Sequence, residues 1–549
     1  MCAGNGYVVE AVNDVLNVYS AATGASVLPD NTATNIVSGF PRNVNHAVDL
    51  NSFYGYPPAI NRTSGVRGQF VTDPSCLYDA ATQRFFVTVL TLEVDPATGG
   101  FTTVNHLDTA VSQTSNPTGG WNIYRVDVTN DGSPGTTGGP CPCLGDYPHI
   151  GADANGFYIT TNAYPWGPGD FDGAQIYAFS KAQMAAGAPV VTMQHIDTTG
   201  MVHANSPEPQ TEPGFTVWPA QSPGTGSFAS NTEYFLSSNA GEEASGDAFT
   251  GSSTDLVVWT LTNTASLNTA APTAVLSNKV LTVNEYGIPP KQQQPGSGTL
   301  ATQDTPQGYC INDTTTLLFN GQTGCWRLLF GAEPAHNEVI SRPDSNDTRM
   351  QQVMYANGKL WGALDTAINP DGGAAQRAGV AWYIVNPSSA KLVLQGYLGA
   401  AGYDFTYPAI GVTASGRGVM AFTATGNTLN PSAAYAPIDA QAGVGAWSVV
   451  TGGQGAAQDD GFTSYKAQVG GNPPRTRWGD YGAAAVDGNS IWIASEYIAG
   501  TCKYLDWGGP AFAGGTGDNL LGTCGGASHG PGVRTALANW STRISKLTP

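Results

Sequence analysis

Short runs of β-branched and aromatic residues recur along the whole chain, each bounded by turn residues. The clearest unit spans Leu144–Asn162, where a small-residue strand, a turn at Asp153–Gly156 and a second strand at Phe157–Thr161 follow one another. The Asn-Gly step predicts the positive φ of a tight hairpin, so the two strands are expected to pair antiparallel. Weaker copies of the unit follow Asp73 and Asp480. Repetition on this scale is typical of a repeat architecture.

In chain order the pattern predicts seven pairs of strands. The first members begin at Gly6, Arg84, Gly156, Glu233, Lys359, Gly418 and Ser490, and the second members begin at Val15, Leu107, Ala174, Leu256, Val380, Ala434 and Trp540. With an inner strand before each pair and an outer strand after it, the pairs predict an all-β fold. We expect a seven-bladed β-propeller, one domain over residues 1–549, closed by joining of the N- and C-terminal strands.

Other folds fit the pattern less well. A β-helix needs shorter and more regular rungs, and two β-sandwiches need a linker between them, which the sequence does not show. The helical signal is slight, and it predicts one short surface helix over Ser180–Gly187 that ends at the glycine.

The amino-acid composition argues against some classes of binding partner. The chain has 549 residues, a net charge of −19 and only 22 lysines and arginines, which argues against nucleic acid or an anionic membrane as partner. No apolar run is long enough to cross a bilayer. Met1-Cys2-Ala3-Gly4 does not resemble a signal peptide and strand-like sequence begins at Tyr7, so we expect a mature or truncated form. A monomer is expected.

The eight cysteines indicate an oxidising compartment. Their spacing predicts two local disulfides, Cys310 with Cys325 and Cys502 with Cys524. Cysteines as close as Cys141 and Cys143 rarely bond each other, so one is expected to reach Cys76 and the other Cys2. The alternative, a metal site formed by Cys141, Cys143 and His149, has less support because no second cysteine pair matches it.

The residues just before each inner strand are expected to crowd the mouth of the propeller channel. Acidic and imidazole groups there are the catalytic candidates: Asp73, Asp146, His149 and Asp480. Aromatic and guanidinium groups there are the ligand-binding candidates: Tyr147, Trp218, Arg349, Tyr407, Arg477, Trp478 and Tyr481. Carboxylates could act as general acid and base on a glycosidic bond while aromatic rings stack on sugars. Alternatively, each aspartate bonds backbone N–H groups and only builds its blade.

Several segments resemble a broad group of secreted bacterial β-propeller proteins, loosely related to sialidase-type repeat proteins. They are Asp73–Asp79, Ala110–Trp121, Gly145–His149 and Arg477–Tyr481. The resemblance implies a propeller fold and secretion, and it does not imply a reaction. Thr114–Trp121 is similar to an Asp-box turn, although its glycine and tryptophan spacing departs from that pattern.

Two functions follow as hypotheses. The first is a secreted or cell-surface propeller that binds a glycan or a protein ligand at the channel mouth. The alternative is a carbohydrate-active hydrolase or lyase that uses the aspartate, arginine and histidine groups there. No cofactor is expected, although loops such as Asp170–Gly173 and Asn130–Gly132 could hold a structural calcium ion. Convergence of four histidines on an iron ion is not favoured, because only His149 precedes an inner strand.

Overall fold

The computed structural model describes residues 1–29, 47–61, 64–132, 141–167, 171–201, 214–239, 252–298, 340, 342–373, 376–459, 475–500 and 540–549. Among these residues, no helix is both long and apolar enough to span a membrane. The disulfides predicted for Cys310 with Cys325 and Cys502 with Cys524 lie outside the described residues.

Seven antiparallel sheets form the blades. Blade 1 contains β1 (Cys2–Gly4), β2 (Tyr7–Val12), β3 (Val15–Ser20) and β4 (Val48–Asp49), which leads into helix α1 (Leu50–Phe53). Blade 2 contains β5 (Phe70–Asp79), β6 (Arg84–Val94), β7 (Phe101–Ser112) and β8 (Trp121–Asp127). Blade 3 contains β9 (Cys143–Ala152), β10 (Gly156–Pro165), β11 (Ala174–Ser180) and, after helix α2 (Lys181–Ala185), β12 (Met193–Asp197).

The remaining blades follow the same order. Blade 4 contains β13 (Phe215–Pro219), β14 (Thr232–Ser238), β15 (Ser252–Thr262) and β16 (Val275–Gly287), with a 3₁₀ helix at Thr264–Asn268. A parallel pair, β17 (Arg342–Pro343) with β27 (Arg475–Thr476), lies outside the blades. Blade 5 contains β18 (Met354–Ala356), β19 (Lys359–Ile368), β20 (Arg377–Asn386) and β21 (Lys391–Leu398). Blade 6 contains β22 (Tyr403–Val412), β23 (Arg417–Gly426) and β24 (Leu429–Asp439), which pairs with both β25 (Gly443–Val444) and β26 (Ser448–Val449). Blade 7 contains β28 (Ala483–Asp487), β29 (Ser490–Tyr497) and β30 (Ser541–Leu547).

The predicted all-β, seven-bladed propeller is confirmed. Each of the fourteen predicted strand segments lies in the second or third strand of a blade. The short helix is also confirmed, and it begins after Ser180, whose side chain accepts a hydrogen bond from the Gln183 N–H. The hydrophobic pattern identified the fourteen strand segments because the middle strands of a blade are packed on both faces. These strands therefore carry the longest apolar runs.

The hydrophobic core is divided among the junctions between blades. Seven clusters of buried apolar side chains each join two neighbouring blades, and the seventh joins blade 7 to blade 1. Trp361 and Trp259, for example, are fully buried at such junctions. Burying one side chain of this kind stabilises a fold by about 1.5–3 kcal/mol or more, so each blade depends on both of its neighbours.

The N- and C-terminal strands meet where blades 7 and 1 adjoin, although they do not share one closing blade as expected. Strand β1 contacts β28, and the buried residues Ala3, Val8 and Trp492 pack together across the junction. The hydroxyl of Thr542 on β30 donates to a carboxylate oxygen of Glu10 on β2 at 2.5 Å. Each terminal strand stays in its own sheet, so the ring closes through side-chain packing and this bond between adjacent blades.

The hairpin at Asp153–Gly156 is confirmed, but its predicted turn chemistry is wrong. Neither Asn155 nor Gly156 has a positive φ. Instead, the Asp153 carboxylate accepts the N–H groups of both, at 2.8 and 2.5 Å. The glycine is required for space, because a Cβ there would lie 2.2 Å from the hydroxyl of Tyr158. The positive-φ Asn-Gly turn does occur in blade 1, at Asn5-Gly6.

The expected cysteine pairing is also wrong. Cys2 bonds Cys76, and Cys141 bonds Cys143. Cys2 and Cys76 lie on the inner strands β1 and β5 of adjacent blades, with their Cα atoms 5.2 Å apart. Cys141 and Cys143 flank Pro142 just where β9 begins, with Cα atoms 5.3 Å apart. Both separations lie in the range that disulfides require.

Candidate functional site

A β-bulge near the start of four inner strands turns side chains toward the channel. The pairing register shifts between Thr72 and Ser75, opposite Thr160 and Asn162, between Phe215 and Trp218, and between Thr406 and Ala409. In each bulge one residue has a positive φ, namely Asp73, Tyr147, Thr216 and Tyr407. Bulges of this kind re-aim side chains, and a positive φ is uncommon for tyrosine, so packing in the channel must hold it.

The bulges correct the predicted alignment of the repeats. Asp73 occupies the position of Tyr147 and Tyr407, whereas Asp146 lies one residue earlier, opposite Asn162. Asp73 and Asp146 are therefore not equivalent, although both are near the channel mouth. The same alignment makes Trp218 the equivalent of His149 in the next blade.

Aromatic side chains fill the channel axis beneath the mouth. The rings of His149 and Trp218 stack with centroids 3.6 Å apart, and those of Tyr147 and Tyr481 stack at 4.7 Å. The Tyr147 hydroxyl donates to the backbone carbonyl of Asp480 at 2.7 Å. Blades 3, 4 and 7 thus meet through rings at the axis.

The imidazole of His149 is buried and has no hydrogen-bond partner among the described residues. It is 1% exposed, and neither ring nitrogen has a hydrogen bond. Burial, and then the nearby Arg349 guanidinium, hold the pKa of His149 well below its usual value. The imidazole is therefore neutral at physiological pH and packs as an aromatic ring behind Trp218.

Both predicted arginines are bonded to aspartates. Arg349 forms a two-point ion pair with Asp347, at 2.8 and 2.7 Å, and its guanidinium lies 4.7 Å from the centroid of the Tyr147 ring. Arg477 binds both carboxylate oxygens of Asp480, at 2.8 and 2.6 Å. The Arg349 pair is buried, whereas Arg477 is exposed at the rim.

Asp73 and Asp146 form a pair of interacting carboxyls at the mouth. Burial, and then the charge of Asp146, raise the pKa of Asp73 to about 6. The Thr72 hydroxyl donates to the Asp73 carboxylate at 3.0 Å, and Arg477 and Tyr481 also favour its ionised form. Asp73 consequently changes charge close to neutral pH, which is the property that acid–base chemistry uses.

These residues surround a cavity of about 350 Å³ at the channel mouth. Five of the predicted site residues line it: Asp73, Trp218, Arg477, Asp480 and Tyr481. Its walls come from blades 1, 2 and 7, and Ile150, Trp218, Gln221 and Gln352 complete it from blades 3, 4 and 5. Trp218 is 6% exposed, and its indole N–H has no partner among the described residues.

Two glutamines link the blades beneath the cavity. The Gln352 amide donates to Gln221 at 3.1 Å and exchanges two hydrogen bonds with the backbone of Ala484, at 2.6 and 2.8 Å. Gln221 donates to the Ile150 carbonyl at 3.2 Å. Blades 3, 4, 5 and 7 are thereby tied together at the axis, which gives the cavity a rigid base.

The other predicted residues lie behind the cavity wall. Tyr147, His149, Arg349 and Asp146 are in the layer just described, next to the lining residues. Tyr407 and Trp478 pack with Ile498 and are 5% and 1% exposed. The Tyr407 N–H donates to the Asp365 carboxylate at 2.9 Å, and the Trp478 indole donates to the Thr423 hydroxyl at 3.3 Å. Neither is among the described residues that line the cavity.

Sequence reasoning missed two acidic lining residues, Glu10 and Glu496. Glu10 accepts the hydroxyls of Tyr19, at 3.1 Å, and of Thr542. Burial, and then Asp459 and Asp480, raise the pKa of Glu496 well above its usual value. A signal existed for both, because each is a lone acidic residue inside an apolar strand, β2 and β29. A charge in such a strand commonly faces a cavity or a partner.

The metal alternative loses its cysteine ligands. Cys141 and Cys143 are bonded to each other, with the Asp172 carboxylate nearby at 3.8 Å from the Cys143 sulfur. His149 contacts Trp218 instead. Within the described part of the chain, His106 and His195 lie in blades 2 and 3 against Glu93 and Gln175, away from the axis. The structural calcium ion stays a prediction, and Asp170 lies outside the described residues.

Comparison with known proteins gives weak structural similarities. No protein-family model and no curated protein sequence matches the chain. A protein of unknown function from Dyadobacter fermentans is 10% identical, with a TM-score of 0.35 over 77% of this chain and 89% of that one. An α-L-arabinofuranosidase from Fusarium graminearum, in complex with an iminosugar inhibitor, is 10% identical, with a TM-score of 0.34 over 80% and 90%. An apocarotenoid oxygenase from Synechocystis is 10% identical, with a TM-score of 0.28 over 81% and 72%.

TM-scores this low carry no argument about function. The expected relation to sialidase-type repeat proteins has no sequence-level support.

Proposed function

We propose that the protein binds a glycan in the cavity at the channel mouth. The observation that carries this proposal is a concave cavity that combines four carboxyl residues with an aromatic wall that includes Trp218. Sugar hydroxyls donate hydrogen bonds to carboxylates, while an aromatic face packs against the C–H groups of the sugar. Tyr481 and Trp540 add aromatic surface to the same wall.

An acidic ligand such as a sialic acid has less support. A carboxylate ligand needs a guanidinium that can form a two-point bond with it. Arg477 already binds both oxygens of Asp480, and Arg349 binds Asp347 below the cavity. A carboxylate in the cavity would have to displace an aspartate that belongs to the protein and would face other carboxylates.

The proposed location is extracellular or cell-surface. Cys2–Cys76 and Cys141–Cys143 support it, because disulfides persist in oxidising compartments. A protein that binds glycans outside the cell also fits the acidic, lysine-poor composition. The monomeric state remains part of the same proposal.

Hydrolysis of a glycosidic bond is the second candidate function. The interaction of Asp73 with Asp146 favours it, because burial and then the charge of Asp146 raise the pKa of Asp73 to about 6, and a general acid must keep its proton near neutral pH. In this proposal Asp73 would protonate the leaving-group oxygen, and Asp146 would act from behind the cavity wall through its effect on the Asp73 carboxyl. Asp480 and His149 are the other catalytic candidates from the sequence. In this proposal they would hold the neighbouring aromatic and charged side chains in place around Asp73 and Asp146.

Binding is tested with a panel of oligosaccharides and isothermal titration calorimetry. We expect Glu496→Gln and Asp480→Asn, measured separately, to weaken binding at least about fivefold, which is roughly 1 kcal/mol. Glu285→Gln, which removes the same charge from an exposed site on the outer strand β16, is the matched control and should bind like wild type. Thermal unfolding of each variant separates lost binding from lost folding. Wild-type protein that binds no member of the panel would contradict the proposal.

Turnover is tested with the same oligosaccharides by chromatography of the products. If the protein is a hydrolase, Asp73→Asn and Asp146→Asn should each lower kcat by at least about a hundredfold while leaving the melting temperature within a few degrees. If the wild-type protein binds a glycan but forms no product from it, the proposal of glycan binding stands. Hydrolysis of that glycan is then excluded.

A further inference from the structure

Cys141, Cys143 and Asp172 form a compact group of metal-ligating side chains outside the cavity. The two sulfurs and a carboxylate oxygen of Asp172 all lie within 4.8 Å of one another. The Asp172 oxygen is 3.8 Å from the Cys143 sulfur. Among the described residues, no other three histidine, cysteine or acidic side chains bring their ligand atoms this close together.

Backbone hydrogen bonds hold this group in place on blade 3. Cys143 begins β9, where its N–H donates to the Thr129 carbonyl at 2.7 Å and its carbonyl accepts the side-chain amide of Asn105 at 2.7 Å. Asp172 lies between β10 and β11, and its N–H donates to the Ala163 carbonyl on β10 at 2.8 Å. The ligand atoms are therefore presented by fixed backbone, as a metal site requires.

The spacing of these atoms fits one tetrahedral zinc ion. Zinc binds a thiolate sulfur at about 2.3 Å and a carboxylate oxygen at about 2.0–2.2 Å, so a sulfur and an oxygen on the same ion lie about 3.5 Å apart. The 3.8 Å between Cys143 and Asp172 is close to that separation. Two sulfurs on one zinc ion lie about 3.8 Å apart. With Cα atoms 5.3 Å apart, Cys141 and Cys143 can reach that separation by side-chain rotation once the bond between the sulfurs is broken.

The disulfide must be reduced before its sulfurs can bind a metal. Cys141 is partly exposed, whereas Cys143 is fully buried, so an external thiolate reaches Cys141 first. A dithiol reductant would attack the Cys141 sulfur, and Cys143 would leave as the thiolate and take up a proton. The second thiol of the reductant then displaces Cys141, which leaves two protein thiols and a cyclic, oxidised reductant. Because the two cysteines are only two residues apart, the bond constrains the unfolded chain little and its loss should leave the fold intact.

We propose that the reduced Cys141 and Cys143, together with Asp172, bind a zinc ion whose fourth position is occupied by water. Two thiolates and a carboxylate supply three negative charges to a divalent cation, and thiolates favour zinc over calcium and magnesium. Binding would release the two thiol protons. The disulfide and the zinc site are then alternative states of the same residues, and exchange with an external disulfide would re-form the bond and release the ion. This inference is independent of the proposed glycan binding.

Metal binding is tested on the full chain after anaerobic reduction and removal of the reductant. Co²⁺ is the spectroscopic probe, because thiolate coordination gives an intense charge-transfer absorption, and added Zn²⁺ should abolish that absorption. We expect reduced wild type to bind about one equivalent of Co²⁺ more than either oxidised wild type or reduced Cys141→Ser/Cys143→Ser. That double variant keeps the other six of the eight cysteines, so it accounts for any metal that they bind. Reduced Cys2→Ser/Cys76→Ser is the matched control and should bind like reduced wild type.

Asp172→Asn tests the third ligand. It preserves the shape of the side chain and removes its charge, and we expect the affinity of the reduced protein for Zn²⁺ to fall at least about tenfold. Glu285→Gln, at an exposed position on β16, should leave that affinity unchanged. Zn²⁺ should also raise the melting temperature of reduced wild type more than that of reduced Cys141→Ser/Cys143→Ser.

Three results would overturn the inference. The first is reduced wild type that binds no more Co²⁺ than reduced Cys141→Ser/Cys143→Ser. The second is Asp172→Asn that binds Zn²⁺ as tightly as wild type. The third is an equal effect of Zn²⁺ on the melting temperatures of reduced wild type and the double cysteine variant. If Asp172→Asn does not fold, the first and third comparisons still decide.

Discussion

Asp73 is a residue of the cavity whose ionisation changes close to neutral pH. Its carboxyl faces Asp146 on β9 and both Arg477 and Tyr481 in the segment before β28, and its own strand contributes Thr72. Across the cavity are Asp480, Glu496 and Glu10, with the amino group of Met1 beside Glu10. Burial and Asp146 outweigh Arg477, so the pKa of Asp73 is raised from 3.8 to about 6.

This shift predicts a pH-dependent contribution to stability. A carboxyl with a raised pKa in the folded state binds protons more readily than in the unfolded state, so its ionisation destabilises the fold. The destabilisation should be present above about pH 6 and should disappear as the pH falls toward 4. Thermal unfolding at pH 7.5 and pH 5.0 checks this, and wild type should gain stability relative to Asp73→Asn on acidification. A difference between the two proteins that does not change with pH would contradict the assignment.

His149 shows how far a candidate site residue can be judged from sequence. Its position before an inner strand correctly indicated the channel, but the sequence could not show that Trp218 from the next blade would stack on it. That contact depends on the geometry of the ring of blades. The same limitation hid the roles of Tyr407 and Trp478, which are covered by neighbouring elements.

We expect His149→Phe to preserve the fold, since the ring nitrogens have no partners among the described residues. An apolar ring of similar shape removes a buried polar group, so the melting temperature should stay within a few degrees of wild type or rise. His149→Ala should instead cost about 2–4 kcal/mol, because it leaves a cavity beside Trp218. Severe destabilisation by phenylalanine would show that the nitrogens are hydrogen bonded. Loss of turnover in a folded His149→Phe protein would instead assign chemistry to the imidazole.

At the scale of elements, helix α2 joins blades 2 and 3 through a buried charge. The Lys181 amine donates to the Asp79 carboxylate at 2.8 Å, and each side chain is 2% exposed. Asp79 ends β5, the inner strand of blade 2, and its second oxygen accepts the Thr82 N–H and hydroxyl. The sequence suggested a surface helix here, but Lys181 faces inward because its partner is on the adjacent blade.

Removing one charge of this pair should be costly. Lys181→Met leaves Asp79 buried without its cation, and we expect a loss of about 3–5 kcal/mol in the free energy of unfolding. Adding Asp79→Asn should recover part of the loss, because an amide is less costly to bury than an unpaired carboxylate. Chemical denaturation of the single and double variants measures both steps. A single variant as stable as wild type would mean that the pair contributes nothing.

Strands were predictable from sequence, whereas bulges were not. The middle strands, such as Lys359–Ile368, are covered on both faces and carry a strong β pattern. The bulge at Tyr147 places a tyrosine at a φ of 56°, a conformation that its local sequence does not favour. Packing against Tyr481 and Arg349 selects it. The residues that the bulges aim at the channel were therefore identifiable only approximately.

At the scale of the whole molecule, the disulfide between Cys2 and Cys76 fixes the first blade to the second. It closes a loop of 74 residues, and the chain-entropy relation gives about 4 kcal/mol of stabilisation for a loop of that length. Sequence alone did not give the pairing, because it depends on which inner strands are neighbours in the closed ring.

Cys2→Ser/Cys76→Ser should accordingly lower the free energy of unfolding by about 2–4 kcal/mol. Cys141→Ser/Cys143→Ser is the matched control, since those cysteines are only two residues apart and constrain the unfolded chain little. Its stability should stay within about 1 kcal/mol of wild type. Denaturant unfolding without reductant compares the two double variants. Equal losses in both would contradict the role assigned to the loop between blades.

We propose that the ligand binds in one cavity, where blades 7, 1 and 2 meet. The most direct measurement is a crystal structure of the protein soaked with the tightest-binding oligosaccharide from the panel. We predict electron density for the sugar in this cavity, packed on Trp218 and within hydrogen-bond distance of Asp73 and Glu496. Density at any other surface, with this cavity holding only solvent, would show that the ligand binds elsewhere and would contradict the proposed site.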